Sequence, residues 1–252
     1  MILSDDQLDR YARHIVLREI GGEGQRKLLA ATVTLIGAGG IGSPAIQYLA
    51  AAGVGRLRVI DDDAVTLDNL QRQVLFATDD VGRGKVEVAG EAVARLNPGV
   101  EFEGVRERLS PANAARLVGG GDIVIDGSDN FATRLAVSDT CTAIRIPLVS
   151  AAIGQFQAQV GTWRGWEPGR PCYRCFVGDA FDAEDCDTCS ELGVLGAMAG
   201  IAGSWAALEA VRQIVGFGEE AAGKIHIFGG LKPGLRTLQV GKDPGCRACS
   251  AA

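Results

Sequence analysis

From Thr32 to Asp61 the chain reads TVTLIGAGGIGSPAIQYLAAAGVGRLRVID. The run Thr32 to Ile36 is apolar and β-branched, as a buried strand requires. Gly37-Ala38-Gly39-Gly40-Ile41-Gly42 follows, then a segment from Gly42 to Ala52 with helical character, then a second strand-like run from Arg56 to Ile60. Strand, tight glycine turn, helix and strand in succession make a βαβ unit. In that setting the glycine spacing is a nucleotide fingerprint. Glycine lets the backbone approach phosphates closely, and the first helical turn offers unpaired N–H groups and positive potential. Asp61 ends the second strand, where such folds set a carboxylate against ribose hydroxyls. Gly37, Gly39, Gly40, Gly42 and Asp61 are therefore candidate nucleotide contacts, and ATP, NAD and FAD fit them equally well.

Working outward, Ser4-Asp5-Asp6-Gln7 has capping-box spacing ahead of Leu8, Tyr11 and Ile15, which predicts an opening helix. A second short helix is expected through Gln25 to Ala30. On the other side come a helix from Lys85 to Leu96 stopped by Pro98, a strand from Val100 to Val105, and a short helix after Ser110. A buried-type strand from Asp122 to Asp126, a helix from Phe131 to Ile144 and a strand from Pro147 to Ser150 complete the alternation. This order predicts a doubly wound, Rossmann-like α/β fold with a mostly parallel sheet. Past Ser150 the run Gly154 to Val160 alternates as a half-exposed strand does, and Lys224 to Phe228 and Leu235 to Val240 are strand-like. The sheet is thus expected to continue with antiparallel strands. The acidic segment Gly178 to Glu191 has neither period and reads as a mobile loop. With no internal repeat and no low-complexity linker, residues 1–252 read as one domain.

Low aromatic content, 6%, with 35 glycines suits an α/β fold better than an all-β sandwich. A net charge of −6 provides no overall basic field for a nucleic-acid backbone, so nucleic acid is not the expected partner. Met1 to Asp6 lacks a basic start and apolar run, so the cytoplasm is the expected compartment. The uncharged stretch Leu192 to Leu208 is short for a membrane span and runs into Glu209 and Arg212; a buried or interface helix is the reading, with no membrane association. Seven cysteines in a reducing compartment point to metal binding or thiol chemistry rather than disulfides. Cys141, on a predicted helix, reads as a small buried hydrophobe.

Further candidates follow the strands. Asn69-Leu70-Gln71-Arg72-Gln73 comes after the second strand, Lys85 opens the next helix, and Ser128-Asp129-Asn130 follows the strand ending at Asp126. Singly, each is an ordinary surface residue; at the carboxyl ends of neighbouring strands they converge on the ligand crevice of a doubly wound sheet. Such a set suits attack on a triphosphate. Arg72 and Lys85 can neutralise phosphate oxygens, and Asp129 can hold Mg2+. A carboxylate nucleophile is already ionised at neutral pH and needs no general base, whereas hydride transfer to or from an alcohol usually needs a His or a Tyr-x-x-x-Lys. His14 and His226 are the chain's two histidines, neither expected beside the crevice, and there is no Tyr-x-x-x-Lys. Three C-x-x-C pairs, Cys172/Cys175, Cys186/Cys189 and Cys246/Cys249, carry zinc-knuckle spacing. Spacing alone leaves open which two pairs make a four-thiolate site.

Taken in order, Arg10-Tyr11-Ala12-Arg13, the glycine loop, Asn69 to Gln73, Lys85, Ser128-Asp129-Asn130, Cys172-Tyr173-Arg174-Cys175 and Cys246-Arg247-Ala248-Cys249 resemble the ThiF/MoeB/HesA family of ubiquitin-activating-enzyme-like adenylyltransferases. The likeness covers nearly the whole chain. It implies ATP as the nucleotide, Asp61 on the ribose, Gly40, Asn69, Arg72 and Lys85 on the phosphates, and Asp129 on magnesium. It also implies a homodimer in which Arg13 reaches the neighbouring subunit's ATP, and zinc held by Cys172, Cys175, Cys246 and Cys249. The reaction implied is transfer of AMP from ATP to the C-terminal Gly-Gly carboxylate of a ThiS- or MoaD-like ubiquitin-like sulfur carrier, preparing thiocarboxylate formation in thiamine or molybdopterin biosynthesis. Residues 1–31 would then be N-terminal helices, 32–151 the nucleotide-binding half, and 152–252 the carrier-binding and zinc half. Cys189, in Cys189-Ser190-Glu191-Leu192-Gly193-Val194, resembles the family's loop cysteine that forms a thiol-linked adduct in sulfur transfer. Cys186 is an extra thiol, and Ala197 stands where relatives often have proline. No rhodanese-like extension follows, so a separate sulfur donor is implied. The competing readings are a nucleotide-dependent oxidoreductase, a ThiF-like dehydratase acting on a modified nucleoside in tRNA, and a non-catalytic nucleotide-binding scaffold.

Overall fold

The computed structural model describes residues 2–178 and 193–250. Chain order is α1 (Asp5–Arg10), α2 (Ala12–Ile15), α3 (Gly21–Ala30), β1 (Thr32–Ile36), α4 (Gly42–Ala52), β2 (Arg56–Ile60), α5 (Lys85–Leu96) and β3 (Glu101–Val105). It continues with α6 (Ala114–Val118), β4 (Ile123–Asp126), α7 (Phe131–Ile144), β5 (Leu148–Gly154), β6 (Gln157–Trp163), α8 (Tyr173–Val177), α9 (Gly196–Val215), β7 (Lys224–Gly229) and β8 (Gly234–Gln239). All eight strands share one sheet in the order β3-β2-β1-β4-β5-β6-β7-β8. The first five are mutually parallel and the last three pair antiparallel. The expected doubly wound sheet with an antiparallel continuation is the one observed.

Alternation along the strands divides the core between two faces. Val33, Leu35, Leu57, Val59, Ile123 and Ile125 pack with α4, α5 and α9, whereas Ile36, Ile60, Val124 and Leu148 pack with α6, α7 and α8. Cys141 is buried on the second face, as expected. Residues 196–208 of the stretch read as a buried helix lie in α9, which packs on the sheet; among the described residues no helix is long and apolar enough to cross a membrane.

Two expectations are corrected. The capping box is present: the Ser4 hydroxyl accepts from the Gln7 N–H at 3.2 Å, and the Gln7 side chain accepts from the Ser4 N–H at 3.1 Å. The helix it starts does not run through to Ile15, however. It breaks at Tyr11 (φ −103°, ψ 15°), whose buried side chain turns into the body. Similarly, Gly154 to Val160 is not one strand. Gly154 pairs with Gln157, so Gln155-Phe156 forms a two-residue hairpin turn between β5 and β6. That turn lacks the Asn-Gly or Asp-Gly signature that marks such turns in a sequence.

Candidate active site

The parallel strands end level with one another. Ile36 pairs with Ile60 on one side and with Asp126 on the other, so the segments starting at Gly37, Asp61 and Gly127 leave the sheet side by side. Strand order reverses between β1 and β4, and open α/β sheets bind ligands at that reversal. A cleft of about 540 Å³ lies there, lined by Gly37, Gly39, Gly40, Asp61, Arg72, Lys85 and Asp129 among others. Seven of the residues singled out from the sequence thus converge on one cavity of ligand size.

The glycine loop closes tightly over the start of α4. Gly37 has φ +90°, and a Cβ on Gly42 would fall 2.1 Å from the Gly37 carbonyl oxygen. Gly42 is therefore buried beneath the loop and lets it close, rather than lining the cleft. Ile41, preceding α4, provides no side-chain cap. Within the first turn the Ser43 N–H already donates to the Gly39 carbonyl at 2.8 Å and Pro44 has no N–H, so the donors left for a ligand are the Gly39, Gly40 and Ile41 N–H groups of the loop itself, which have no partner among the described residues.

Asp61 ties this loop to the next strand. One carboxylate oxygen accepts from the Ala38 N–H at 2.7 Å and the other from the Asp63 N–H at 2.9 Å. Burial raises its pKa above the ordinary aspartate value, opposed by nearby Lys85 and by the two N–H donors. A carboxylate has about four acceptor positions, so two bound N–H groups leave capacity for ribose hydroxyls. Lys85 opens α5 and is 4% exposed. Its ammonium donates to Asp63 at 2.9 Å, a countercharge that holds the cation at the cleft. Arg72 is half-buried and donates to the Asp68 carbonyl at 3.1 Å.

Asp129 sits in a turn braced on both sides. The Ser128 N–H donates to Asp126 at 2.9 Å, buried Arg134 donates to the Ser128 carbonyl, and Asn130 caps α7 by accepting from the Thr133 N–H at 2.8 Å. The Asp129 carboxylate itself is exposed and makes no hydrogen bond or ion pair with a described residue. Asn69 does not line the cleft. Its carbonyl instead starts the turn, accepting from the Arg72 and Gln73 N–H groups at 3.1 and 3.0 Å.

Sequence reasoning assigned no role to Asp63, Gln73, Arg108, Arg134 or Tyr173, all of which line the cleft. Gln73 is buried, with its side-chain oxygen unpaired in the described structure. The signals were the acidic run Asp61-Asp62-Asp63 and the one-turn spacing of Arg134 from Asn130. Neither His14 nor His226 reaches the cleft. His14 faces Gln25 at 3.1 Å, and His226 stacks on Trp205 and bonds Thr237 at 2.8 Å.

At the opposite end of the sheet four sulfurs gather. Cys172 lies 3.9 Å from Cys175 and 3.6 Å from Cys246, and Cys175 lies 3.4 Å from Cys249. Four thiolates about 2.3 Å from a tetrahedral ion would stand about 3.8 Å apart, so this group could hold a metal ion. In a bare thiol cluster, burial pushes Cys172 well above the usual range and Cys249 up to about 11, a cost that a divalent cation reverses. Cys186 and Cys189 lie outside the described residues.

Arg13 is exposed on α2, away from its own chain's cleft, and makes no hydrogen bond or ion pair with a described residue. Beside it an apolar groove of about 600 Å³ is lined by His14, Leu17, Ile20, Tyr48, Leu208, Val211 and Phe217. Tyr48, Leu208 and Leu17 there are 59%, 50% and 48% exposed. Exposed apolar side chains grouped in this way are the kind of surface that a partner covers.

Comparison with known proteins agrees with this geometry. The model of the ThiF family matches residues 11–248. The SAMP-activating enzyme E1 of Haloferax volcanii is 44% identical over 251 residues, covering 99% of this chain and 92% of that protein. The sulfur carrier protein adenylyltransferase of Thermus thermophilus is 41% identical over 248 residues, 97% of this chain and 91% of that protein. The molybdopterin-synthase adenylyltransferase of Escherichia coli is 39% identical over 247 residues, 98% of each chain. Among solved structures, E. coli MccB with ATP superposes with a TM-score of 0.84 at 24% identity, covering 96% of this chain and 74% of that one, a likeness of fold.

Proposed function

Because the chain belongs to the ThiF family, we propose that it uses ATP to adenylate the C-terminal Gly-Gly carboxylate of a ubiquitin-like sulfur-carrier protein of ThiS or MoaD type. The observation that carries this reading is the meeting of the glycine loop, Asp61, Arg72, Lys85 and Asp129 in one cleft. The relatives' names supply the class of substrate: a sulfur carrier protein, ThiS, and the molybdopterin-synthase pathway. The activated carrier would serve thiocarboxylate formation for thiamine or molybdopterin synthesis.

In this mechanism a carrier carboxylate oxygen attacks the α-phosphorus of ATP. The bond from that phosphorus to the bridging oxygen of pyrophosphate breaks, pyrophosphate leaves, and a carrier acyl-adenylate remains. The nucleophile is ionised at neutral pH, so no side chain has to remove a proton. The chain's task is positioning and charge. The N–H groups of the glycine loop would face the phosphates, with the positive end of α4 behind them, Asp61 would hold the ribose, and Arg72 and Lys85 would offset the charge that moves onto the leaving group. Asn69 supports Arg72 through the turn its carbonyl starts. Asp129, an exposed carboxylate on the cleft lining with no partner among the described residues, would hold Mg2+, which neutralises triphosphate charge when bound.

The four sulfurs of Cys172, Cys175, Cys246 and Cys249 have the spacing for zinc. A closed four-thiolate site is structural, joining the tail to the segment that begins α8. The apolar groove beside α2 supports a homodimer, which would bring Arg13 of each chain to its partner's cleft. Carrier docking falls to residues 152–252. Cys189, with Cys186 as a second thiol, would act after adenylation, when a separate sulfur donor supplies the sulfur.

The test is carrier-dependent exchange of labelled pyrophosphate into ATP. A purified carrier ending in Gly-Gly should support exchange, and the same carrier shortened by its last glycine should not. Exchange that is independent of carrier, or absent with every Gly-Gly carrier tried, would refute the assignment.

A further inference from the structure

Tyr11 interrupts the N-terminal helices and is anchored at two points far from its own cleft. It is 4% exposed, and its hydroxyl accepts from the Asn97 side-chain amide at 2.9 Å. Asn97 follows α5 and also donates to the Ala50 carbonyl at 2.7 Å, which joins the ends of α4 and α5. The Tyr11 ring lies over Gly53, where α4 ends at φ +78°; a Cβ there would fall 2.3 Å from Cζ of the ring. Only a glycine accommodates both that backbone angle and that contact. On the other side, the Tyr11 carbonyl starts α2 by accepting from the His14 and Ile15 N–H groups at 2.9 and 3.0 Å.

The consequence lies two residues on. Helix α2 has four residues, too few to hold its shape without an anchor. It carries Arg13 outward with no partner among the described residues, beside the groove that His14 and Leu17 line. Distance decides which cleft this arrangement serves. The glycine loop opens α4 and Lys85 opens α5, whereas Tyr11 sits at the other ends of both helices. The 11 residues of α4 rise about 1.5 Å each, so roughly 16 Å separate Tyr11 from its own chain's nucleotide site. No side chain spans that.

We propose that Tyr11, clamped by Gly53 and Asn97, is a positioning residue that aims Arg13 into the cleft of the partner subunit. This rests on the reading that Arg13 acts across the dimer. Tyr11→Ala would then leave its own cleft intact and disable the neighbour's.

Mixed dimers separate the cases, isolated through two different tags and assayed by carrier-dependent pyrophosphate exchange. The Tyr11→Ala homodimer should lose about ten-fold or more in kcat, approaching Arg13→Ala. Paired with Asp129→Ala, a chain inactive in its own cleft, it should recover about half the wild-type activity, because one of two sites then combines an intact cleft with a well-aimed arginine. Tyr11→Phe keeps the ring and loses only the Asn97 bond. It should show a smaller loss with the same recovery, and serves as the test if Tyr11→Ala fails to assemble. Recovery by Arg13→Ala with Asp129→Ala but not by the Tyr11 variants would overturn the proposal, because Tyr11 would then act within its own chain. No recovery by the Arg13 pair would overturn the sharing of sites, and the role of Tyr11 with it. Full activity in the Tyr11→Ala homodimer would overturn the Tyr11 role alone.

Discussion

Replacing Lys85 with methionine separates what this side chain does for the fold from what it does for the reaction. Methionine retains an unbranched stem of similar volume in a site that is 4% exposed, so packing is nearly kept. The countercharge, Asp63, has a side chain that is 63% exposed. Losing the ammonium therefore leaves that carboxylate to water rather than stranded in the core, and it also removes the cost of burying a cation. These effects oppose each other, and the net change in stability should stay within about 1 kcal/mol, or roughly 2–4 °C in Tm for a chain of this size. Catalysis has no such offset. One preorganised charged donor to a developing phosphate charge is worth about 2.7–4 kcal/mol, or roughly 10²–10³-fold in rate. Carrier-dependent pyrophosphate exchange should fall by that factor, while circular dichroism and thermal melting remain close to wild type. Asp63→Asn keeps the cation and loses only its holder, so it should cost less than Lys85→Met. Exchange within about three-fold of wild type in a folded Lys85→Met protein would refute the phosphate role. A Tm drop of ten degrees or more would instead make Lys85 a structural residue.

Metal analysis of protein purified under reducing conditions should find about one zinc per chain, and Cys246→Ser should lower Tm more than it lowers activity per folded molecule; protein without metal would refute the zinc site. The pKa of Asp61 is raised by burial, so its carboxyl protonates at higher pH than in the unfolded chain. Its contribution to stability is full below the unfolded value and is lost as pH rises through the native one. For ATP the direction reverses: affinity measured by calorimetry should weaken as pH falls towards the raised value, because the protonated carboxyl loses acceptor capacity for the ribose, and Asp61→Asn should flatten that dependence. Pyrophosphate exchange should collapse in Asp129→Ala yet stay within a few-fold of wild type in Cys189→Ala, whose defect should appear only when carrier thiocarboxylate is measured with a sulfur donor present. Loss of exchange in a folded Cys189→Ala protein would show that the two steps are not separable.

The sequence by itself determined the elements and their order. Strand β1, helix α4, strand β2 and helices α5 and α7 have the bounds that the apolar pattern and the glycine and proline positions implied. Local chemistry is enough there, because a strand's alternation, a helix's caps and a glycine's freedom are properties of neighbouring residues. The parallel topology also brought the predicted contacts Gly37, Asp61, Arg72, Lys85 and Asp129 to one edge of the sheet, since each follows a strand or opens the next helix. Three identical C-x-x-C spacings left the pairing open and only the family resemblance named it; the tertiary structure brings Cys172/Cys175 and Cys246/Cys249 together. It alone showed Asp63 as the holder of Lys85, Gly42 as a support beneath the loop, and Tyr11 as a clamp between Gly53 and Asn97. The reason is common to all of these. Each depends on side chains far apart in sequence or on backbone atoms in close approach, and such contacts are decided by how whole elements pack rather than by the residues beside them.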